Sequence, residues 1–216
     1  MRIAVVTFDG FNEIDSFVAA HMLNRMRGSG WSAEIVAPTE TITSMNGVVV
    51  RAQQPLEFAA TADAVVIGSG RKTQLMIDDS ALMARLELDP QRQLICAQCS
   101  GALVLNRLGL LNQQPICTDG ATRPSLEQAG VRVLDQPFVA YGNVATAGGC
   151  LASQYLASWV LWRLGGEQAV RTAFSYVAPV GEEAEQLARV TAIVRPFVPV
   201  TCVSTDHPMR RTEHAL

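Results

Sequence analysis

The sequence is poor in charge: charged residues make up 17% of it and the formal net charge is −3. Lysine and arginine form no cluster in the body of the chain, and Arg210-Arg211 near the C-terminus is a single basic pair. Tracking a phosphate backbone needs a broader basic surface, so nucleic acid is not expected as a partner. Long apolar runs are missing too. None approaches the roughly 20 residues that span a bilayer, so no membrane partner is expected. The opening "MRIAVVTFDG" meets an acid too soon to serve as an export signal. The five cysteines, at 96, 99, 117, 150 and 202, are therefore expected to stay reduced in a cytoplasmic setting. Histidine is scarce: His21, His207 and His214 have no ligand spacing, and there is no second Cys-x-x-Cys to complete a zinc site. No metal and no other cofactor is expected. Internal repeats, low-complexity segments and linkers are likewise absent.

What is present is a globular composition, 49% apolar over 216 residues, enough for one domain with a substantial core. Short apolar runs alternate with amphipathic stretches, the pattern of a mostly parallel sheet covered by helices on both faces. Strands are predicted at 2–8, 32–38, 62–70 and 93–98, and a hairpin over 41–54 turning at Asn46-Gly47. Further strands are predicted at 115–120 and 130–134, and another hairpin over 138–149 turning at Gly142-Asn143. Helices are predicted at 14–27, 100–109, about 150–164, on to about 174, and 182–194. This gives one domain over 1–195 and an irregular tail over 196–216.

Chemistry concentrates in "LICAQCSGALVLNRLGLL" (94–111). A redox pair would put its first cysteine at a helix N-terminus, but Cys96 lies inside the strand pattern. Side chains three positions apart on a strand also face opposite ways. Cys99 differs. It stands where strand gives way to helix, followed by Ser100 and Gly101, in the manner of the Gly-x-Ser-x-Gly nucleophile elbow. A helix start there offers N–H donors and a positive dipole end to a thiolate or oxyanion. The physics of the sequence alone leaves open whether Cys99 is a nucleophile or a packing residue.

With these motifs in hand, the sequence resembles the ThiJ/PfpI superfamily, related to class I glutamine amidotransferase domains, over about residues 1–180. The resemblance rests on "CSGALVLNRLGLL" (99–111), "FDGFNEIDSF" (8–17), "VVIGSG" (65–70), "NVATAGG" (143–149) and "YVAP" (176–179). The last of these is similar to the isocyanide hydratase branch. The resemblance implies a flavodoxin-like three-layer sandwich in which Cys99 is the nucleophile and Asp15 the carboxyl beside its sulfur. In a dry pocket Asp15 would titrate high and act as a proton donor. Gly70 and Ser100 would supply an oxyanion hole, Ser100 with an added hydroxyl. The superfamily also implies a homodimer.

Departures narrow the chemistry. Protease-like members carry His after the cysteine, where this chain has Ser100. Amidotransferase-like regulators carry Thr-His where this chain has Thr118-Asp119. The first-helix pattern Asp-x-x-Gly-Pro-x-Glu becomes Asp15-Ser-Phe-Val-Ala-Ala-His21. No histidine is matched to the base of peptide hydrolysis. Asp119, His21 and Cys150 are candidates for the pocket wall, each with a structural alternative: turn chemistry for Asp119, packing for His21 and Cys150. Glu13 could assist Asp15 or simply occupy a helix's first turn. The implied activity is that of a cysteine-dependent lyase that adds water to a small-molecule electrophile, as isocyanide hydratase does. The alternatives are a redox sensor whose Cys99 oxidises to sulfinate, glyoxalase-like or deglycase activity, and a ligand-binding module without catalysis. A DNA-binding regulator is disfavoured, because too little chain follows 179 for a helix-turn-helix domain.

Overall fold

The computed structural model describes residues 1–199; most of the expected tail, with Cys202, His207 and His214, lies outside the described residues. Nine strands are described: β1 (Arg2–Val6), β2 (Ser32–Ala37), β3 (Thr41–Thr43), β4 (Val49–Arg51), β5 (Gln54–Pro55), β6 (Ala64–Ile67), β7 (Leu94–Gln98), β8 (Phe138–Tyr141) and β9 (Val144–Ala147). The helices are α1 (Glu13–Leu23), α2 (Thr73–Asp78), α3 (Ser80–Met83), α4 (Gly101–Arg107), α5 (Arg123–Gln128), α6 (Ser153–Val177) and α7 (Glu183–Val194).

Seven strands form one sheet in the order β5-β2-β1-β6-β7-β9-β8, parallel except for the β8–β9 hairpin. β3 and β4 pair separately as the short antiparallel hairpin predicted around Asn46-Gly47. The central strands read as unbroken apolar runs because helices cover both faces: Ile3 to Val6 and Ala64 to Ile67 are wholly buried. One core lies under α1, α6 and α7, around Trp159, Leu156 and Phe138. The other lies under α2, α4 and α5, around Ile67, Leu105 and Leu126. This is the expected three-layer, flavodoxin-like α/β fold.

One expectation is corrected. Residues 115–120 and 130–134 are not strands; a lone bridge joins Ile116 to Val133. In the sheet β9 has β7 on one side and β8 on the other, so β9 offers them no open edge. The Cys117 N–H is instead taken by the Thr146 Oγ1 at 2.9 Å. The expected pair of helices, about 150–164 and on to about 174, is found within Ser153–Val177, the two separated at Gly166, whose φ of 72° only glycine adopts readily.

Sequence order reverses direction at β1: β2 lies to one side and β6, then β7, to the other. In an open parallel sheet a crevice forms at such a point, beyond the carboxyl ends of the strands. The chain segments leaving β1, β6, β7 and β9 all emerge at that end, carrying Asp15, Ser69, Cys99 and Cys150 respectively.

Candidate active site

β7 ends by delivering Cys99 into a left-handed backbone conformation, φ 47°. For a residue with a Cβ this costs energy, so the surroundings must hold it. The Cys99 N–H donates to the Ala147 carbonyl at 2.8 Å, and the Thr118 hydroxyl donates to the Cys99 carbonyl at 2.8 Å. The next turn packs against β6 so closely that a Cβ at Gly101 would sit 2.8 Å from the Ile67 and Gly68 carbonyl oxygens. Only glycine fits there. Ser100 is the N-cap of α4, and the Ala102 and Leu103 N–H groups donate to the Cys99 and Ser100 carbonyls at 3.1 and 3.0 Å, closing the first turn of the helix onto the elbow. The strand-to-helix elbow read from the sequence is therefore present, strain included.

Asp15 reaches this point from the first turn of α1, whose N-cap is Asn12: the Ile14 N–H donates to the Asn12 Oδ1 at 3.1 Å. The Asp15 side chain is fully buried. The Ser69 hydroxyl donates to its Oδ2, and its Oδ1 has no hydrogen-bond partner. A carboxyl oxygen of Asp15, the Cys99 Sγ and the Cys150 Sγ all lie within 4.8 Å of one another. Cys150 follows β9 on a short 3-10 turn and is partly exposed; the Asn12 Nδ2 donates to its sulfur at 3.1 Å.

The electrostatics follow from burial. Desolvation raises the Asp15 carboxyl above its ordinary value, against hydrogen bonding from Ser69, which lowers it. The Cys99 thiol is pushed far up by burial first, then by the Asp15 and Asp119 charges. The cysteine is thus not an isolated low-pKa thiolate. Each group disfavours the other's negative charge, so the two titrate as a coupled pair. Cys150 is also raised, by burial and then by Asp15.

Other predicted residues take different places. The Gly70 N–H donates to the Ser100 Oγ at 3.2 Å, so it holds the serine rather than standing free for an oxyanion. The Ser100 Oγ lies 2.7 Å from the Thr73 Oγ1, which ties the elbow to the loop after β6. Asp119 accepts from the Ala121 and Thr122 N–H groups at 2.9 and 3.0 Å and so organises its own turn; its charge reaches Cys99 and Asp15 only at a distance. His21 does not join the cluster. It lies on the far part of α1, 5.9 Å from the Tyr176 ring, in a groove of about 600 Å³ that neither Asp15 nor Cys99 lines. Glu13 is drawn to the first hairpin instead, accepting from Ser44 and, at 2.9 Å, from the Asn46 Nδ2. Cys96 is wholly buried in the core under α6. Cys117 is also buried, its thiol raised by desolvation to about 12.

Three residues at the site were not singled out from the sequence. Ser69 and Asn12 contact Asp15 and Cys150. Gln98, fully buried, donates to the Gly149 carbonyl at 2.7 Å and lies 3.4 Å from the Cys99 Sγ. Its Oε1 is unpartnered. The Gly68-Ser69-Gly70 turn and the helix-start position of Asn12 were the available signals. A strand residue such as Gln98 gives none.

As a ligand set, Asp15, Cys99 and Cys150 are the group among the described residues whose donor atoms could converge on a metal ion. They are one ligand short of a closed four-coordinate zinc site.

Comparison with known proteins agrees with the geometry. The profile of the DJ-1/PfpI family matches residues 1–161, and the chain belongs to that family. Schizosaccharomyces pombe DJ-1 superposes with a TM-score of 0.70 at 18% identity, covering 83% of this chain and 100% of that one. Drosophila melanogaster DJ-1beta gives 0.69 at 21%, covering 81% and 95%. A ThiJ/PfpI family protein from Pseudomonas syringae gives 0.70 at 20%, covering 90% and 87%. At these identities the likeness establishes the fold. No curated protein matches the sequence. Among the described residues no helix is long and apolar enough to cross a membrane.

Proposed function

We propose that this member of the family is a cysteine-dependent hydratase acting on a small electrophile of the isocyanide type. The observation that carries the reading is a buried carboxyl beside a strained elbow cysteine, with no histidine near either among the described residues. His21 is the only histidine among the described residues, and it lies in a separate groove. That removes the usual base of peptide hydrolysis. Cys99 is only 5% exposed, which supports a slender, linear head such as R–N≡C over a peptide.

In this reading Asp15 and Cys99 hold one proton between them, and that proton supplies the movements. As the Cys99 sulfur attacks the terminal carbon, its proton passes to Asp15 and on to that carbon, giving a thioimidate. Asp15, again a carboxylate, takes a proton from water as the oxygen adds. Asp15 passes that proton to nitrogen, the carbon–sulfur bond breaks, the hydroxyl proton returns to the Cys99–Asp15 pair and an N-formamide leaves. Ser69 holds the carboxyl in place, the Ser100 N–H at the start of α4 faces the developing charge, and Gly70 acts through Ser100. We further expect a homodimer, because Leu151 and Tyr176 stand 71% and 67% exposed beside the His21 groove, and a reducing cytoplasmic setting that keeps the thiols free. Steady-state turnover of para-nitrophenyl isocyanide to its formamide tests the activity. Wild-type protein should turn over and Cys99→Ser should not; folded wild-type protein without turnover ends this reading.

A further inference from the structure

Cys150 has no part in that reaction, yet its sulfur stands within 4.8 Å of both the Cys99 Sγ and an Asp15 oxygen. We infer that Cys150 is a resolving cysteine: oxidation of Cys99 by a hydroperoxide ends in an intramolecular Cys99–Cys150 disulfide. The inference does not depend on isocyanide turnover.

The two sulfurs meet because their strands are neighbours. β7 and β9 pair in parallel with Gln98 opposite Ala147, so the residues just beyond each strand end come together. Cys99 is fixed by its elbow. Cys150 is the movable member, placed after Gly148-Gly149 with Gly149 at φ 87° and only partly buried. Bond formation needs the sulfurs to close to about 2.05 Å, an approach asked of the 3-10 turn at 150–152, where Leu151 is exposed and Cys150 partly so. Other described thiols are badly placed: Cys96 is sealed in the core under α6 and Cys117 is buried beneath Thr146.

The electron count closes in two steps. First the Cys99 sulfur attacks the outer oxygen of ROOH, the O–O bond breaks, and ROH leaves with the proton released from the pair; Cys99 is now a sulfenic acid, two electrons oxidised. Then the Cys150 sulfur attacks the Cys99 sulfur. The S–O bond breaks, and Asp15, within 4.8 Å of both sulfurs, carries the Cys150 proton to the departing hydroxide, which leaves as water. Two thiols and ROOH become a disulfide, ROH and H₂O. An external dithiol reverses the change by exchange.

The test is peroxide treatment of the reduced full-length chain in the presence of a chelator, then N-ethylmaleimide blocking, intact mass and non-reducing peptide mapping. Wild-type protein should become two hydrogens lighter, with the Cys99 and Cys150 peptides linked. Cys150→Ser, at a partly exposed position, should instead accumulate two oxygens on Cys99, with an unchanged melting curve showing that it is folded. Cys150→Ala repeats the test without a hydroxyl. Wild-type protein that gains two oxygens on Cys99 while Cys150 still takes the maleimide would overturn the inference, as would linkage of Cys99 to Cys202.

Discussion

Replacing Asp15 with asparagine should stabilise the protein, and by an amount that grows with pH. Asp15 is fully buried, Ser69 serves one of its oxygens, and the other has no partner. Its carboxyl titrates higher when folded than when unfolded, with desolvation as the main cause. The folded state therefore binds the proton more tightly. The stabilisation this gives is complete below the unfolded value of about 3.9 and is lost as pH rises through the folded value. Asp15→Asn keeps the shape, can still accept from Ser69, and has no charge to desolvate. The penalty removed is that of desolvating a buried charge, at least about 1–3 kcal/mol. About 2 kcal/mol corresponds to roughly 4–8 °C in Tm for a chain of this size. Urea unfolding of both proteins under reducing conditions, from acid to mildly alkaline pH, should show the two converging near the acid end and separating above it. A gap that stays constant with pH, or wild-type protein gaining on the variant as pH rises, would refute the reasoning.

The elbow makes its own prediction. Glycine is ordinarily less stable than alanine by about 0.5–1 kcal/mol, but at a φ of 47° the order should invert, with Cys99→Gly more stable than Cys99→Ala in urea by about 1 kcal/mol. Gly101→Ala, which presses a methyl against the backbone oxygens of Ile67 and Gly68, should cost about 1–3 kcal/mol in the same assay. It should also lower the reactivity of Cys99 by shifting the elbow.

Much of this was legible in the sequence because it is local. The apolar runs at 2–8, 62–70 and 93–98, the Asn46-Gly47 and Gly142-Asn143 turns, and the Cys99-Ser100-Gly101 junction each carry their own signal. What depends on strand order was not. Residues 115–120 look like a strand until β8 is seen to occupy the edge of β9. Cys150 looks like a packing residue until β9 is seen beside β7. Ser69, Asn12 and Gln98 earn their places through contacts with residues distant in sequence, and His21 and Glu13 are turned elsewhere by Tyr176 and by the Ser44–Asn46 hairpin. The charge state of Cys99 was also hidden, since it depends on how deeply the sulfur is buried and on which carboxyl shares its space.

The central claim is that Asp15 and Cys99 share a single proton through neutral pH, and the rate of Cys99 alkylation by iodoacetamide as a function of pH tests it most directly. With the proton shared, the thiolate–acid form is a fixed fraction of the pair. The wild-type rate should therefore be flat from about pH 7 to 9, while Asp15→Asn should show the tenfold rise per pH unit of a lone thiol below its pKa. Two profiles that climb in parallel would contradict it.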